Sequence, residues 1–462
     1  MTIESQAVLE RIEREKERYL EALQEYLRIP SISTDSDYEA DVSRCCDFLV
    51  EQMRAAGLES ERIETERHPL AYAEWCGAEG KPTVLFYGHY DVQPPDPLEL
   101  WRNPPFEPTI EGDHLVARGA TDDKGQSFTH VAAVAALLAE RGELPVNVKF
   151  LVEGEEESGG ESIDDYVRRD DGERLACDCI VVSDTAMYGP GQPSILYALK
   201  GLAYMQLRVE GPNRDLHSGT YGGVVTNPAN ALAHIIAGLR DAATGKVLIP
   251  GFYDDVEPIS EQERAEFAEL PFDEEKFAAS IGVPELHGEE GFTTRERGWA
   301  RPTCDVNGIF GGYQGRGAKT VIPAWAGAKV SMRLVPNQHP KRIGELFRQH
   351  VEAIKPPGVE VKVSEVHGAP PILIDTDGPM VEAAAAAQED IWGAAPVYVR
   401  EGGSIPIVGT FREVLDTPVI LMGFGLADDR LHSPNEKFNV SHFYKGIKTI
   451  VRFLDRLGEG AG

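Results

Sequence analysis

The chain has 462 residues, 42% of them hydrophobic and 26% charged, with 45 basic against 76 acidic side chains for a formal net charge of −31. That length exceeds what a single hydrophobic core fills, so two or more domains are expected. The acidic excess, interrupted by no Lys/Arg cluster, excludes the electrostatic footprint of a nucleic-acid-binding protein. The opening MTIESQAVLERIEREKERYL alternates charged with apolar residues and reads as an amphipathic first helix, neither signal peptide nor membrane span. Cys45, Cys46, Cys76, Cys177, Cys179 and Cys304 lack CxxC spacing. They read as reduced thiols, which points to a cytoplasmic location.

Helical periodicity covers about 4–28 and 39–56, the second stopped by Gly57. Strands then alternate with helices: PTVLFYG (82–88), KGQSFTHVAAVAALLAERG (124–142), NVKFLVEG (147–154), ESIDDYVRR (161–169) and CIVVSD (179–184). The alternation predicts an α/β domain with a largely parallel sheet. From about Lys200 the texture changes. LAYMQLRVEG reads as a half-exposed strand, NPANALAHIIAGLRD as a helix, AGAKVSMRLVP and VEVKVSEV as strands, and KRIGELFRQHVEAI between them as a helix. This is the pattern of a small ferredoxin-like α+β sandwich, with a helical insertion over about 250–300. The α/β texture returns with PMVEAAAAAQEDIW, TPVILMG and a closing helix over 441–457. The chain is therefore read as an α/β domain in two parts, 1–198 and 377–462, interrupted by a smaller domain at 199–376.

Four strand ends carry acids or imidazoles. YGHYDVQP (87–94) ends a strand with His89 and Asp91 two apart, on one face. RGATDDKG (118–125) presents Asp122 and Asp123 ahead of a helix, where Asp123 reads as its N-cap. LVEGEEESGG (151–160) places Glu155, Glu156 and Glu157 just past a buried strand, and VVSDTAMYG places Asp184 past another. An isolated acidic triplet is usually a solvated turn. Ligands of open α/β sheets, however, bind outside the carboxyl ends of the strands, and carboxylates packed this closely need a compensating cation. RLHSPNEKF adds His432 from the returning α/β part. A set of histidines and carboxylates suits zinc, cobalt or manganese.

The ordered set YGHYDVQP, RGATDDKG, EGEEESGG, DLHSGTYGG, REGGSIP and LHSPNEKF resembles the M20 metallopeptidases over nearly the whole chain. It is nearest the cytosolic nonspecific dipeptidase and carnosinase branch, through EGGSIP and a Thr-Val-Ile-Pro stretch. The resemblance implies a zinc-exopeptidase-like α/β catalytic domain with an inserted ferredoxin-like dimerisation (lid) domain, and metal-dependent hydrolysis of dipeptides. It implies two divalent ions per subunit, zinc first, with manganese or cobalt as alternatives. His89, Asp122 and Asp184 would hold one ion, and Glu157, His432 and the bridging Asp122 the other. Glu156 would be the general base acting on a metal-bridging hydroxide's water, and Asp91 would orient His89. Glu155 is left facing solvent.

In the family, the histidine matching His217 in DLHSGTYGG reaches the partner subunit's active site and stabilises the oxyanion, which implies a homodimer. The arginine matching Arg333 pairs with the carboxylate of a small peptide substrate. Thr320, His367, Glu401 and Ser404 match further pocket positions. The competing readings are an aminoacylase or desuccinylase of N-acyl amino acids, a carboxypeptidase, and a catalytically dead metal-binding scaffold. Retention of Glu156 argues against the scaffold, because a purely structural site has no use for a base. GGSIP lacks the pattern of a nucleophile elbow, so Ser404 is no triad serine.

Overall fold

The computed structural model describes residues 3–169, 173–403 and 405–460. They form two compact units, one of Met1–Tyr197, Ile374–Val399 and Ile407–Gly462, the other of Ala198–Leu373 with Arg400–Pro406. The short segment Arg400–Pro406 lies in the range read from sequence as α/β. It groups with the second unit because Arg400 pairs with Glu263 there and Lys200 N–H donates to Glu401 O at 3.3 Å.

In the first unit, the single opening helix expected over 4–28 is two helices, Ile3–Arg14 and Lys16–Leu27. They break at Glu15, whose ψ of 15° leaves the helical region. The sheet runs in the spatial order Glu59–Ile63, Leu70–Trp75, Asn147–Glu153, Thr83–His89, Cys179–Val182, Val419–Leu421, Ser194–Leu199. Only its centre is parallel. Asn147–Glu153, Thr83–His89, Cys179–Val182 and Val419–Leu421 run together, and the strands flanking them are antiparallel. The central strands are buried almost throughout, Thr83–His89 at every position after the first, which explains why they read as continuous apolar runs rather than alternating ones. Helix Lys124–Arg141 is buried over its first eleven residues on all sides, and Val440–Gly460 packs against it. Small residues permit that approach: a Cβ on Gly446 would come within 2.9 Å of Phe424 and 3.0 Å of Thr129.

This topology positions the acids and imidazoles. Parallel strands deliver their carboxyl ends to one sheet edge, and the register pairs His89 with Glu153. The residues just after Glu153 and just after Val182 therefore emerge beside His89.

In the second unit, strand Gly201–Glu210 alternates buried and half-buried residues along its whole length. It pairs antiparallel with Trp325–Leu334 on one side and Glu360–Ala369 on the other. Helices Pro228–Ala237 and Pro340–Ile354 cover one face, burying Met205, Leu207, Val209, Val330 and Met332 with Ile235, Leu232 and Phe347. The sequence reading missed a fourth strand, Asp305–Gly311, which pairs with Trp325–Leu334 across a bulge at Val306/Gly308. Its sequence DVNGIFG carries a mid-strand glycine and mostly exposed positions, so no period-2 signal survives. The strand completes the antiparallel ferredoxin-like order. The insertion holds helices Glu261–Glu269, Glu274–Ser280 and Thr294–Ala300, each N-capped by a side chain (Ser260, Asp273, Thr293), with its own small core of Ile259, Phe267 and Ala300.

Candidate metal centre

Five of the residues picked from the sequence converge in the first unit. His89 Nε2 lies 3.2 Å from Asp122 Oδ1 and 3.9 Å from Asp184 Oδ2. His432 Nε2 lies 2.9 Å from Asp122 Oδ2 and 3.4 Å from Glu157 Oε1. Two sets of potential ligand atoms thus share the two oxygens of one carboxylate, His89/Asp122/Asp184 and Asp122/Glu157/His432, with the atoms of each set within 4.8 Å of one another. Asp91 is fully buried behind this pair. Its Oδ1 is 3.3 Å from His89 Nδ1, and its Oδ2 accepts from Ser33 Oγ at 2.6 Å and from Glu157 N–H at 3.1 Å.

Local chain geometry holds these groups. His432 follows strand Val419–Leu421 in a loop where Arg430, His432 and Asn435 all adopt positive φ, 57–63°, a conformation that Asn and His tolerate better than most side chains. Asn435 fastens the loop by accepting from Arg102 N–H and donating to Leu100 O, both at 2.8 Å. At the other end of the site Gly88 is required: a Cβ there would sit 2.6 Å from Ser127 Cβ and 2.8 Å from Asp123 Oδ2.

Two expectations are corrected. Asp123 is not the side-chain N-cap of helix Lys124–Arg141: it makes no capping bond, and its Oδ2 instead accepts from His89 N–H at 3.2 Å. Glu155 does not face solvent. It is 1% exposed and accepts from His68 N–H at 2.8 Å, Ser162 Oγ at 2.5 Å and Ser162 N–H at 3.3 Å. It satisfies donors at the start of helix Glu161–Arg169, where a negative charge is favoured. Removing a buried acceptor strands its donors at roughly 1–3 kcal/mol. Glu155→Ala is therefore expected to lower the thermal midpoint while leaving metal content unchanged, as read by calorimetry and elemental analysis.

The electrostatics describe a set of acids short of positive charge. Burial alone would depress the His89 imidazole, but hydrogen bonds to Asp122 and Asp91 hold it well above its usual value. The facing carboxylates of Asp122 and Glu157 push His432 up to about 10. Burial raises Glu156 well above the carboxylate range, with Asp184 and Glu157 adding to it against the pull of His89. Two like charges 4 Å apart cost about 4 kcal/mol at an effective dielectric of 20, more than a typical hydrogen bond returns, so these carboxylates share protons with the imidazoles unless a cation replaces them. The donor set fits divalent ions on this structure's own terms. Imidazole nitrogens and carboxylate oxygens alternate, and the buried Glu157 Oε1 has no hydrogen-bond partner.

The sequence reading missed Ser33, which holds Asp91, and Gln93, whose Nε2 donates to Glu157 Oε2 at 2.6 Å. Gln93 stands inside the quoted YGHYDVQP motif, so its position was a usable signal; Ser33 carried none. The remaining picks lie in the second unit. His217 is exposed on a two-stranded ribbon in which it pairs with Val321, and Thr320 is exposed just ahead of that ribbon's second strand. Arg333 is half-buried opposite Leu202, His367 is exposed opposite Tyr204 beside a bulge, and Glu401 ends strand Val397–Glu401. Ser404 lies outside the described residues.

Residues 85–456 match the profile of Peptidase family M20/M25/M40. The chain belongs to this peptidase family. As an M20 peptidase it is similar to the Cys-Gly metallodipeptidase of Candida albicans, at 34% identity over 98% of this chain and 97% of that one. Its fold superposes on human carnosine dipeptidase 1 with a TM-score of 0.87, at 29% identity over 98% and 99% of the two chains. It also superposes on an M20 family metallo-carboxypeptidase from Sulfolobus solfataricus with a TM-score of 0.86, at 34% identity over 96% and 99%. M20 metallopeptidases use divalent metals, as the two ligand sets lead one to expect. No helix among the described residues is long and apolar enough to cross a membrane.

Proposed function

We propose that the chain is a metal-dependent dipeptidase whose active centre is built on the two ligand sets that share Asp122. That shared carboxylate is the observation that carries the reading. His89, Asp122 and Asp184 would hold one divalent ion and Asp122, Glu157 and His432 a second, with zinc best matched to the mixed imidazole and carboxylate donors and manganese or cobalt as alternatives. When bound, such a pair lowers the pKa of water and polarises the scissile carbonyl. Glu156 takes the proton of the attacking water and returns it to the departing amine. Asp91 holds the Nδ1 edge of His89 through its backbone O at 3.1 Å, with its carboxylate Oδ1 at 3.3 Å, fixing the tautomer that leaves Nε2 free to ligate.

From the family resemblance we carry over two roles in the second unit. Arg333 pairs with the peptide's terminal carboxylate, for which a guanidinium fork is well shaped. His217 acts on the oxyanion in the partner subunit of a homodimer. Thr320, His367, Glu401 and Ser404 are assigned to the same substrate pocket.

The reading is tested on metal-loaded protein with dipeptides, N-acetyl and N-succinyl amino acids, and longer peptides with free C-termini. Dipeptides are expected to give the highest kcat/KM. Preferential cleavage of N-acyl amino acids, or processive trimming of long peptides, would replace this assignment with an aminoacylase or carboxypeptidase one. Arg333→Met is expected to raise KM for dipeptides at least tenfold, since a charge-assisted bond is worth about 1.5–3 kcal/mol. An unchanged KM would remove Arg333 from the carboxylate's binding site.

A further inference from the structure

We propose that Glu436 is a positioning residue of the metal centre, a buried carboxylate that sets Asp122 and His432 in one frame; this rests on the metal-centre reading above. Glu436 is 0% exposed and stands four residues after His432. Its side chain receives four donors. Arg118 Nη1 donates to Oε2 at 2.7 Å and Gly119 N–H to the same oxygen at 2.9 Å, while Thr121 N–H and Asp122 N–H donate to Oε1 at 2.9 and 3.1 Å. Three of the four are backbone amides of the turn that presents Asp122, so the carboxylate fixes the path of the chain into that residue. Its own backbone O accepts from Ala117 N–H at 3.1 Å, which ties the same turn a second time.

The neighbouring contacts run the same way. Thr121 Oγ1 donates to Lys437 O at 2.7 Å and lies 3.1 Å from Asp429 Oδ2, and strand Lys437–Asn439 pairs antiparallel with His114–Val116. Two segments more than 300 residues apart in sequence are thereby zipped side by side. Asp122 comes from one, His432 from the other, and Glu436 is the side chain that bonds directly to the Asp122 amide. An ordinary helix cap or surface ion pair would not place a fully buried carboxylate against the amide of a shared ligand.

Chemistry dictates what substitution does. In Glu436→Gln one oxygen becomes an NH2 that faces two donors, and the buried Arg118 guanidinium, 1% exposed, loses its counter-charge. The Asp122 turn relaxes, and because Asp122 serves both ligand sets, both ions are affected. Removing outer partners of a metal ligand typically weakens metal binding 10–100-fold. Glu436→Asp keeps the charge but is one methylene short of its four donors, and an intermediate loss is expected.

The test is calorimetric titration of the stripped, refolded-competent full chain with zinc, below the thermal midpoint of each variant, with circular dichroism confirming the fold. Wild type is expected to bind two ions, Glu436→Gln to bind them at least tenfold more weakly, and Glu436→Asp to fall between. A merely structural role would lower the midpoint and leave the affinity of the folded chain untouched; that outcome overturns the proposal. Should Glu436→Gln fail to fold, Glu436→Asp decides alone, and wild-type affinity in it counts against the proposal. A wild-type chain that binds no zinc overturns the metal-centre reading itself, and the proposal with it.

Discussion

Glu156→Gln is expected to keep its full metal content and to lose roughly 10²–10⁴ in kcat, the usual range for removing a general acid-base group. The substitution conserves volume and changes only the capacity to take a proton. Glu156 begins the short helical turn Glu156–Ser158, directly after the strand whose register aligns Glu153 with His89. Its neighbours by charge are His89, Asp184, Glu157 and Asp122, the ligand set itself, yet it belongs to neither group of converging ligand atoms. A carboxylate beside the ligands but outside the ligand sets is placed for proton transfer. KM is expected to change little, because the loss falls on a step that comes after binding. Elemental analysis alongside steady-state kinetics reads both quantities. Unchanged turnover, or loss of metal together with turnover, would remove Glu156 from the role of base.

Chelation is expected to lower the thermal midpoint by about 10 °C. At a thousandfold excess over Kd each of the two ions contributes about 4.1 kcal/mol, and the unit of roughly 280 residues that would hold them shifts by roughly 1–2 °C per kcal/mol. The stripped protein is also expected to bind protons where the ions were. The facing carboxylates of Asp122 and Glu157 raise His432 from 6.5 to about 10. That contribution to the stability of the stripped chain is complete below pH 6.5 and fades as pH rises through 10. An ion needs the deprotonated imidazole, so metal affinity rises with pH across the same window. At neutral pH loading therefore releases protons from His432 and from His89, which its hydrogen bonds to Asp122 and Asp91 also hold protonated against the effect of burial. Titrations in buffers of different ionisation enthalpy measure the release. Loading with no proton release and no midpoint shift would contradict this electrostatic account.

Much of the centre was legible because parallel strands bring residues far apart in sequence to one edge. A histidine or acid just past an apolar run is visible in the chain, and His89, Glu157 and Asp184 carry that mark; Asp122 instead follows the turn after His114–Val116, a strand of a separate antiparallel sheet, and was read from the motif RGATDDKG. His432 also lacks the mark, standing in an irregular loop of positive-φ residues, and was found through the motif LHSPNEKF. The errors have physical causes. Three consecutive glutamates look equivalent in sequence, but Glu155 meets the unsatisfied donors of the next helix and is buried. Asp123 has the position of an N-cap, but the close approach of Gly88 draws its carboxylate to the His89 amide. The antiparallel flanking strands Glu59–Ile63 and Leu70–Trp75 were not read at all, because the first is an edge strand with no buried position and the second is a six-residue stretch whose apolar run is broken by Ala and Glu. The strand Asp305–Gly311 was invisible because an exposed edge imposes no hydrophobic period. Long-range tertiary bonds, such as those from Glu436 to the Asp122 turn, leave no local pattern at all.

The most direct test of the central claim is anomalous diffraction at the zinc edge from crystals of the reconstituted protein. Two peaks roughly 3.5–4 Å apart are predicted, one beside His89 and Asp184, the other beside Glu157 and His432, with an oxygen of Asp122 directed at each. A single peak, or two that do not share Asp122, would contradict the account.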